Sequence, residues 1–219
     1  MSLPKSDELI AFLQNLFDTN KDFANEHDVS FFQKFSNQQN PKLTILKCSD
    51  SRVQMESFDK TPQNGVFAIR NIGNQIVTSE GSIDFGVEVL QTPFLMIIGH
   101  SNCGAIGAVI EQPDIKSSAI KRELSTLNIT KKENHLAVIE NVNNQVSYAV
   151  TKYKDRIMSN KLTVLGAIYD FKNDFGLGHG KVILTNVNQV NDPVIIQKEY
   201  SSIIGNMNCL TPDSKFAAD

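Results

Sequence analysis

Downstream of residue 42 the chain is punctuated by five short apolar runs: residues 43–46 (LTIL), 66–69 (VFAI), 94–98 (FLMII), 162–167 (LTVLGA) and 182–187 (VILTNV). Each is continuous rather than alternating, which is the pattern of strands buried on both faces. Between them the apolar period lengthens. Ile83, Val87 and Leu90 share one helical face until Pro93 ends it, and Leu136, Ile139, Val142, Val146, Tyr153 and Ile157 mark a much longer helix. Strands alternating with helices predict an α/β fold with a mainly parallel central sheet flanked by helices.

Upstream of the first run the period is helical. Residues 6–17 place Leu9, Phe12, Leu13, Leu16 and Phe17 on one stripe with Ser6 or Asp7 as N-cap, and a second short segment carries Phe31, Phe32 and Phe35 behind the caps Asp28 and Ser30. An N-terminal helical arm so rich in apolar side chains needs a groove to lie in, and a second subunit can supply one. The expected organisation is a single domain over residues 1–219: an arm over 1–37, a core over 38–190 and a C-terminal extension over 191–219. Residues 112–134, polar and rich in lysine, are expected as a surface excursion, and the tail after Cys209 is expected to fray.

Composition narrows the function classes. The 219 residues can bury roughly 70% of their unfolded surface in one core. A formal charge of −3 and the lack of a basic run argue against nucleic acid as a partner. The longest apolar stretch, residues 93–99 (PFLMIIG), is too short to cross a membrane. Three cysteines do not build a disulfide framework, and Asp7 and Glu8 stand where a targeting peptide would be basic, so a cytoplasmic protein is expected.

Chemistry is concentrated at two strand ends. Cys48-Ser49-Asp50-Ser51-Arg52 follows the first apolar run, and His100-Ser101-Asn102-Cys103 follows the third. Ligands of open parallel sheets bind in the crevice beyond the carboxyl ends of the strands, so Cys48, His100 and Cys103 are expected to converge there. Two thiolates and one imidazole form a zinc set, and three protein ligands with a free fourth position are the pattern of a catalytic site. The competing reading is a Cys48–Cys103 redox pair, which a reducing compartment disfavours. Cys209 has no partner at ligand spacing and reads as a non-ligand thiol. His27, His135 and His179 read as surface or satisfied histidines.

Cys-x-Asp-x-Arg followed about fifty residues later by His-x-x-Cys-Gly resembles the β-class carbonic anhydrases. Arg70-Asn71-Ile72-Gly73-Asn74 resembles that family's Arg-Asn segment, Gly81-Ser82-Ile83 the start of its helix before the third strand, and residues 141–145 its long-helix signature. The resemblance implies zinc ligation by Cys48, His100 and Cys103, a catalytic dyad of Asp50 and Arg52, and a substrate pocket with Gln39, Phe67, Ile72 and Gly104. It also implies one Zn2+ per chain, attack of zinc-bound hydroxide on carbon dioxide to give bicarbonate and a proton, and assembly as a homodimer or larger homo-oligomer with the arm laid on its partner. One departure is visible: the position fifteen residues before His100, often tyrosine in the family, is Phe85, so the expected pocket lacks a hydroxyl. Two rivals remain at this level, a hydrolase acting on carbon disulfide or carbonyl sulfide through the same metal set, and a zinc-stabilised binding protein in which Asp50 permanently closes the metal.

Overall fold

The computed structural model describes residues 6–205 and 208–210. They fall into two compact units, divided between Asn40 and Pro41.

The first unit holds α1 (Asp7–Glu26) and α2 (Val29–Gln33). α1 runs nine residues past the predicted segment, because Phe23 and His27 continue its apolar face into a cluster with Phe31, Phe32 and Phe35, with ring centroids 4.0–6.4 Å apart. The Asp28 carboxylate accepts from the Phe31 N–H and caps α2 as predicted. Leu9, Phe12, Leu16 and Phe17 remain exposed along α1.

The second unit is built on a five-stranded sheet: β1 (Leu43–Cys48), β2 (Val66–Asn71), β3 (Phe94–His100), β4 (Thr163–Asp170) and β5 (Lys181–Val187). The order is β2-β1-β3-β4-β5; the first four are parallel and β5 joins antiparallel, with a bulge at Gly166/Ala167. All five apolar runs are therefore strands, and the α/β class with a mostly parallel sheet holds. One face of the sheet packs the main core, where Leu46, Ile69, Leu95, Ile97, Val164 and Ile168 meet α3 (Glu80–Asp84), α4 (Gly104–Glu111) and α6 (Asn134–Lys152). α6 sits directly on the strands at Gly99 and Gly166, where a Cβ would come within 2.8 Å of Val138 or Val142. The opposite face carries a smaller cluster around Ile45, Ile98 and Ala167, packed by Met55 and Phe58.

Three local expectations are corrected. The helix before β3 is not regular: α3 passes into a π-helical turn over Phe85–Val89. The long helix stops at Lys152, and α7 (Lys154–Met158) follows as a separate turn, because buried Tyr153 leaves the helical conformation and donates its hydroxyl to Asp84 (2.6 Å). The polar 112–134 stretch holds α5 (Ser118–Leu124) and sends Leu124 and Leu127 into the core, so it is only partly a surface excursion. α8 (Pro193–Ile204) covers β5, where Cys209 is buried beside Leu184, Val187 and Ile196. Of the tail expected to fray, residues 211–219 lie outside the described residues.

Candidate metal centre

Cys48 is the last residue of β1 and His100 the last of β3. The two strands are parallel neighbours, so both end on the same edge. Beyond His100 the chain turns at Asn102, whose left-handed backbone (φ 52°) is one that asparagine tolerates, and delivers Cys103 to the N-cap of α4. The ligand atoms of Cys48, His100 and Cys103 then lie within 4.8 Å of one another, and all three residues are buried.

The donor set fits zinc on its own geometry. His100 Nδ1 lies 3.0 Å from the Ser101 carbonyl, which can only accept, so Nδ1 carries the hydrogen and Nε2 presents its lone pair. Nε2 is buried without a hydrogen-bond partner among the described residues. A buried orphan facing two sulfurs, with the other ring nitrogen donating to a carbonyl, is the arrangement of a metal-binding imidazole. The thiols are polarised against each other. Hydrogen bonding from Cys103, aided by the adjacent His100 ring and by the N–H groups of Gly73 and Asp50, draws Cys48 down against burial. Cys103 is pushed up by the same contact and by burial, although N–H groups of Ile106 and Ala105 at the start of α4 oppose this.

Asp50 and Arg52 occupy a tight turn immediately past Cys48. Val53 N–H donates to the Asp50 carbonyl (3.0 Å), and the Asp50 carboxylate accepts from the Arg52 N–H (3.0 Å), which closes the turn on itself. Arg52 then clasps the carboxylate with Nε on Oδ1 (2.9 Å) and Nη2 on Oδ2 (2.7 Å), and Nη2 also reaches the Asn102 carbonyl (3.1 Å). That clasp holds the Asp50 carboxyl well below the usual carboxylate range, outweighing burial. Its Oδ2 stands 3.8 Å from His100 Nε2. The carboxylate is thus beside the metal position and already engaged by the guanidinium.

Not every expected site residue joins this cluster. Gly104 opens α4 next to Cys103 with clear space where a Cβ would stand, and Ile72 is half-buried just past β2. Phe67 and Phe85 come together, ring centroids 5.8 Å apart, with Phe85 43% exposed. The register pairs Cys48 with Asn71, so Phe67 sits four residues back along β2, about 13 Å from the level of Cys48. Gln39 belongs to the first unit and is exposed.

The structure also adds residues that sequence reasoning missed. Phe171, just past β4, stacks on the His100 ring (6.0 Å, 26°) and carries the Arg52 guanidinium 4.9 Å from its centroid. Its signal was present: it follows β4, the fourth parallel strand that ends on the same edge. Arg70 donates to the Asp50 carbonyl and to Gln54 Oε1, each at 2.9 Å. Lys47 is 1% exposed and donates to the Val53 carbonyl at 2.7 Å; burial, with the charge of Arg70 adding to it, pulls its ammonium down to about 8. Asn141 donates to the Gly73 carbonyl (2.9 Å) and Gln145 to Asn141 (3.2 Å), so α6 anchors the loop whose N–H faces Cys48.

Comparison with known proteins agrees with this geometry. The sequence pattern of the carbonic anhydrase family matches residues 43–178, which contain the whole metal cluster and the Asp50–Arg52 turn. A carbonic anhydrase of Synechococcus elongatus is 27% identical over 166 residues, covering 65% of this chain and 61% of that protein's length. Among solved structures, the β-carbonic anhydrase CcaA superposes with a TM-score of 0.69 at 20% identity, covering 82% of this chain and 96% of the other. One of two tetrameric β-carbonic anhydrases from Sordaria macrospora superposes at 0.67 and 18% identity, covering 81% and 97%. These structures share the fold; the family pattern, spread over more than half of the sequence and carrying the Cys48, His100 and Cys103 cluster, identifies the chain as a member of the β-carbonic anhydrase family.

Proposed function

We propose that the protein hydrates carbon dioxide reversibly to bicarbonate and a proton, using one zinc ion held by Cys48, His100 and Cys103. The observation that carries this reading is the position of Asp50: one carboxylate oxygen 3.8 Å from His100 Nε2, clasped at the same time by Arg52. A bound zinc ion would acidify a water molecule and so supply the nucleophile. With two thiolates and a neutral imidazole the set has no net charge, so that acidification is weaker than in an all-imidazole site and activity should favour mildly alkaline pH.

The chain's own residues do the rest. Arg52 keeps the Asp50 carboxylate turned from the metal position, where it can accept a hydrogen bond from the attacking water. Phe171 closes the far side of the His100 ring and keeps bulk water from it. The free space beside Gly104 suits a small linear electrophile, and the Gly104 N–H at the start of α4 is a donor for a developing carboxylate. Phe67 and Phe85, paired and partly open but set back from this chain's metal cluster, are suited to wall the pocket of a second copy.

We infer at least a homodimer, with the exposed stripe of Leu9, Phe12, Leu16 and Phe17 on a partner subunit. The tetrameric state stated for the Sordaria macrospora enzymes is in keeping with self-association. Among the described residues no helix is long and apolar enough to cross a membrane. Cys48, Cys103 and Cys209 are free thiols, which supports a cytoplasmic setting. The deciding experiment is stopped-flow carbon dioxide hydration on zinc-replete protein across pH, run beside carbonyl sulfide and carbon disulfide. Hydration that rises toward alkaline pH is the expected result; turnover confined to the sulfur compounds would assign the centre to the rival hydrolase.

A further inference from the structure

Lys47 lies inside the fold with no use assigned to it. It is 1% exposed, it sits on β1 directly before a metal ligand, and no carboxylate lies within ion-pair distance of it among the described residues. A buried ammonium without an anionic partner is destabilising, and an apolar side chain of the same length would avoid that cost. Its one hydrogen bond is informative. Lys47 Nζ donates at 2.7 Å to the carbonyl of Val53, whose own N–H donates to the Asp50 carbonyl at 3.0 Å. The Val53 residue is thereby tied at both ends, to the strand below by its C=O and to the turn by its N–H.

The register pairs Lys47 with Arg70 on β2, and Arg70 reaches the same turn from its other side, at the Asp50 carbonyl and at Gln54 Oε1. Gln54 in turn donates to the Ser51 carbonyl at 2.8 Å. Two cations at paired strand positions therefore hold the turn that carries Asp50 and Arg52 at three points, the Val53 carbonyl, the Asp50 carbonyl and Gln54 Oε1. Neither touches the metal ligand atoms. What they fix is where the turn stands relative to the strand ends from which Cys48 and His100 project.

We propose that Lys47 is a positioning residue for the Asp50–Arg52 pair, holding the Val53 carbonyl so that the carboxylate stays clasped by Arg52 beside the metal position. The inference rests on the reading that Asp50 and Arg52 serve carbon dioxide hydration. Without Lys47 the Val53 end of the turn loses its tie to β1, and the carboxylate, 3.8 Å from His100 Nε2, then has the metal within reach. A residue that served stability alone would show the opposite pattern: removing it would lower the melting temperature and leave turnover per folded molecule unchanged.

The test compares Lys47→Met with Lys47→Gln, wild type and Arg52→Ala, each in zinc-loaded and cobalt-substituted form. In Lys47→Met the loss of a buried charge and the loss of the Val53 hydrogen bond oppose each other, so Tm should stay within about 4 °C of wild type. Its kcat should fall about ten- to a hundredfold, a cost typical of small misplacements, with KM within about twofold and one metal retained per chain. Its visible cobalt spectrum should move toward that of Arg52→Ala, and Lys47→Gln, with a shorter neutral donor, should fall between. A Lys47→Met protein with wild-type kcat and an unmoved cobalt spectrum overturns the proposal, and so does failure of both Lys47 variants to fold. If wild type does not hydrate carbon dioxide, the hydration reading fails by itself, and the cobalt spectra still decide whether Lys47 positions the turn.

Discussion

The guanidinium of Arg52 rests 4.9 Å from the ring centroid of Phe171, and the same ring stacks on His100. One aromatic side chain thus backs both a metal ligand and the cation that restrains Asp50. A cation over an aromatic face gains about 0.5–1 kcal/mol in the open and about 2 kcal/mol when desolvated. Arg52 has Asp50 on its edge and Phe171 on its face, which leaves it one orientation.

This arrangement predicts a graded series. Arg52→Ala should keep its zinc and lose most of its activity, on the order of a hundredfold, because the freed carboxylate at Asp50 turns to the metal. Phe171→Leu should lose about three- to tenfold in kcat, the equivalent of the cation–π contact, while Phe171→Tyr stays near wild type. Hydration rates at matched zinc content provide the check; an Arg52→Ala enzyme as fast as wild type would refute the restraint.

Metal content should follow the three ligands. Wild type is expected to hold one zinc per chain, and Cys48→Ser or Cys103→Ser to hold little, measured by elemental analysis after dialysis. The ligands come from two strand ends and a helix start, so the ion would also tie the sheet edge to α4. Chelation should therefore lower the melting temperature, at about 2–4 °C for each 1 kcal/mol lost in a domain of this size. Full zinc in either serine variant would remove that residue from the ligand set.

The exposed arm gives a third prediction. Deleting residues 1–30 removes Leu9, Phe12, Leu16 and Phe17 and should weaken self-association and activity together, read by sedimentation velocity and hydration rate on the same sample. A truncated protein that stays a fully active oligomer would free the arm from that role.

Glu140 supplies a pH-dependent prediction away from the metal. Burial raises its pKa, but hydrogen bonds from the Lys131 N–H (3.0 Å), the Thr130 hydroxyl (2.5 Å) and the Thr130 N–H (2.9 Å) outweigh it and leave the carboxyl below its ordinary value. The folded pKa lies under the unfolded one, so the contribution is complete above about pH 4.3 and fades as pH falls through the folded value. Glu140→Gln should cost about 1 kcal/mol at pH 7, and the gap from wild type should close in more acidic solution. Urea midpoints of both proteins from pH 7 to pH 3 would measure it; a gap that widens on acidification would reverse the sign.

Much of the strand and metal pattern is written locally. The run LTIL ends two residues before Cys48 and the run FLMII two before His100, so strand identity and ligand delivery follow from short segments read alone. Other features are not local. Tyr153 reads as one more apolar position on a long helix, and only its contact with Asp84, 69 residues earlier, breaks that helix. Leu124 and Leu127 lie in a polar stretch, and their burial depends on the loop at Gly73, where the Leu127 side chain comes within 3.2 Å of where a Cβ would stand.

By itself, then, the sequence determined the α/β class and the three residues able to hold zinc, because hydrophobic periodicity and ligand chemistry are properties of neighbouring residues. It also marked the adjacent carboxylate and arginine. Only the tertiary structure decided that Phe171 backs Arg52, that Arg70 and Lys47 grip the turn between them, and that Phe67 and Phe85 stand back from this chain's own cluster. Phe171 and Arg52 lie past the ends of different parallel strands, and Arg70 stands beside Lys47 through the β1–β2 register, so these relationships exist only once the strands lie side by side.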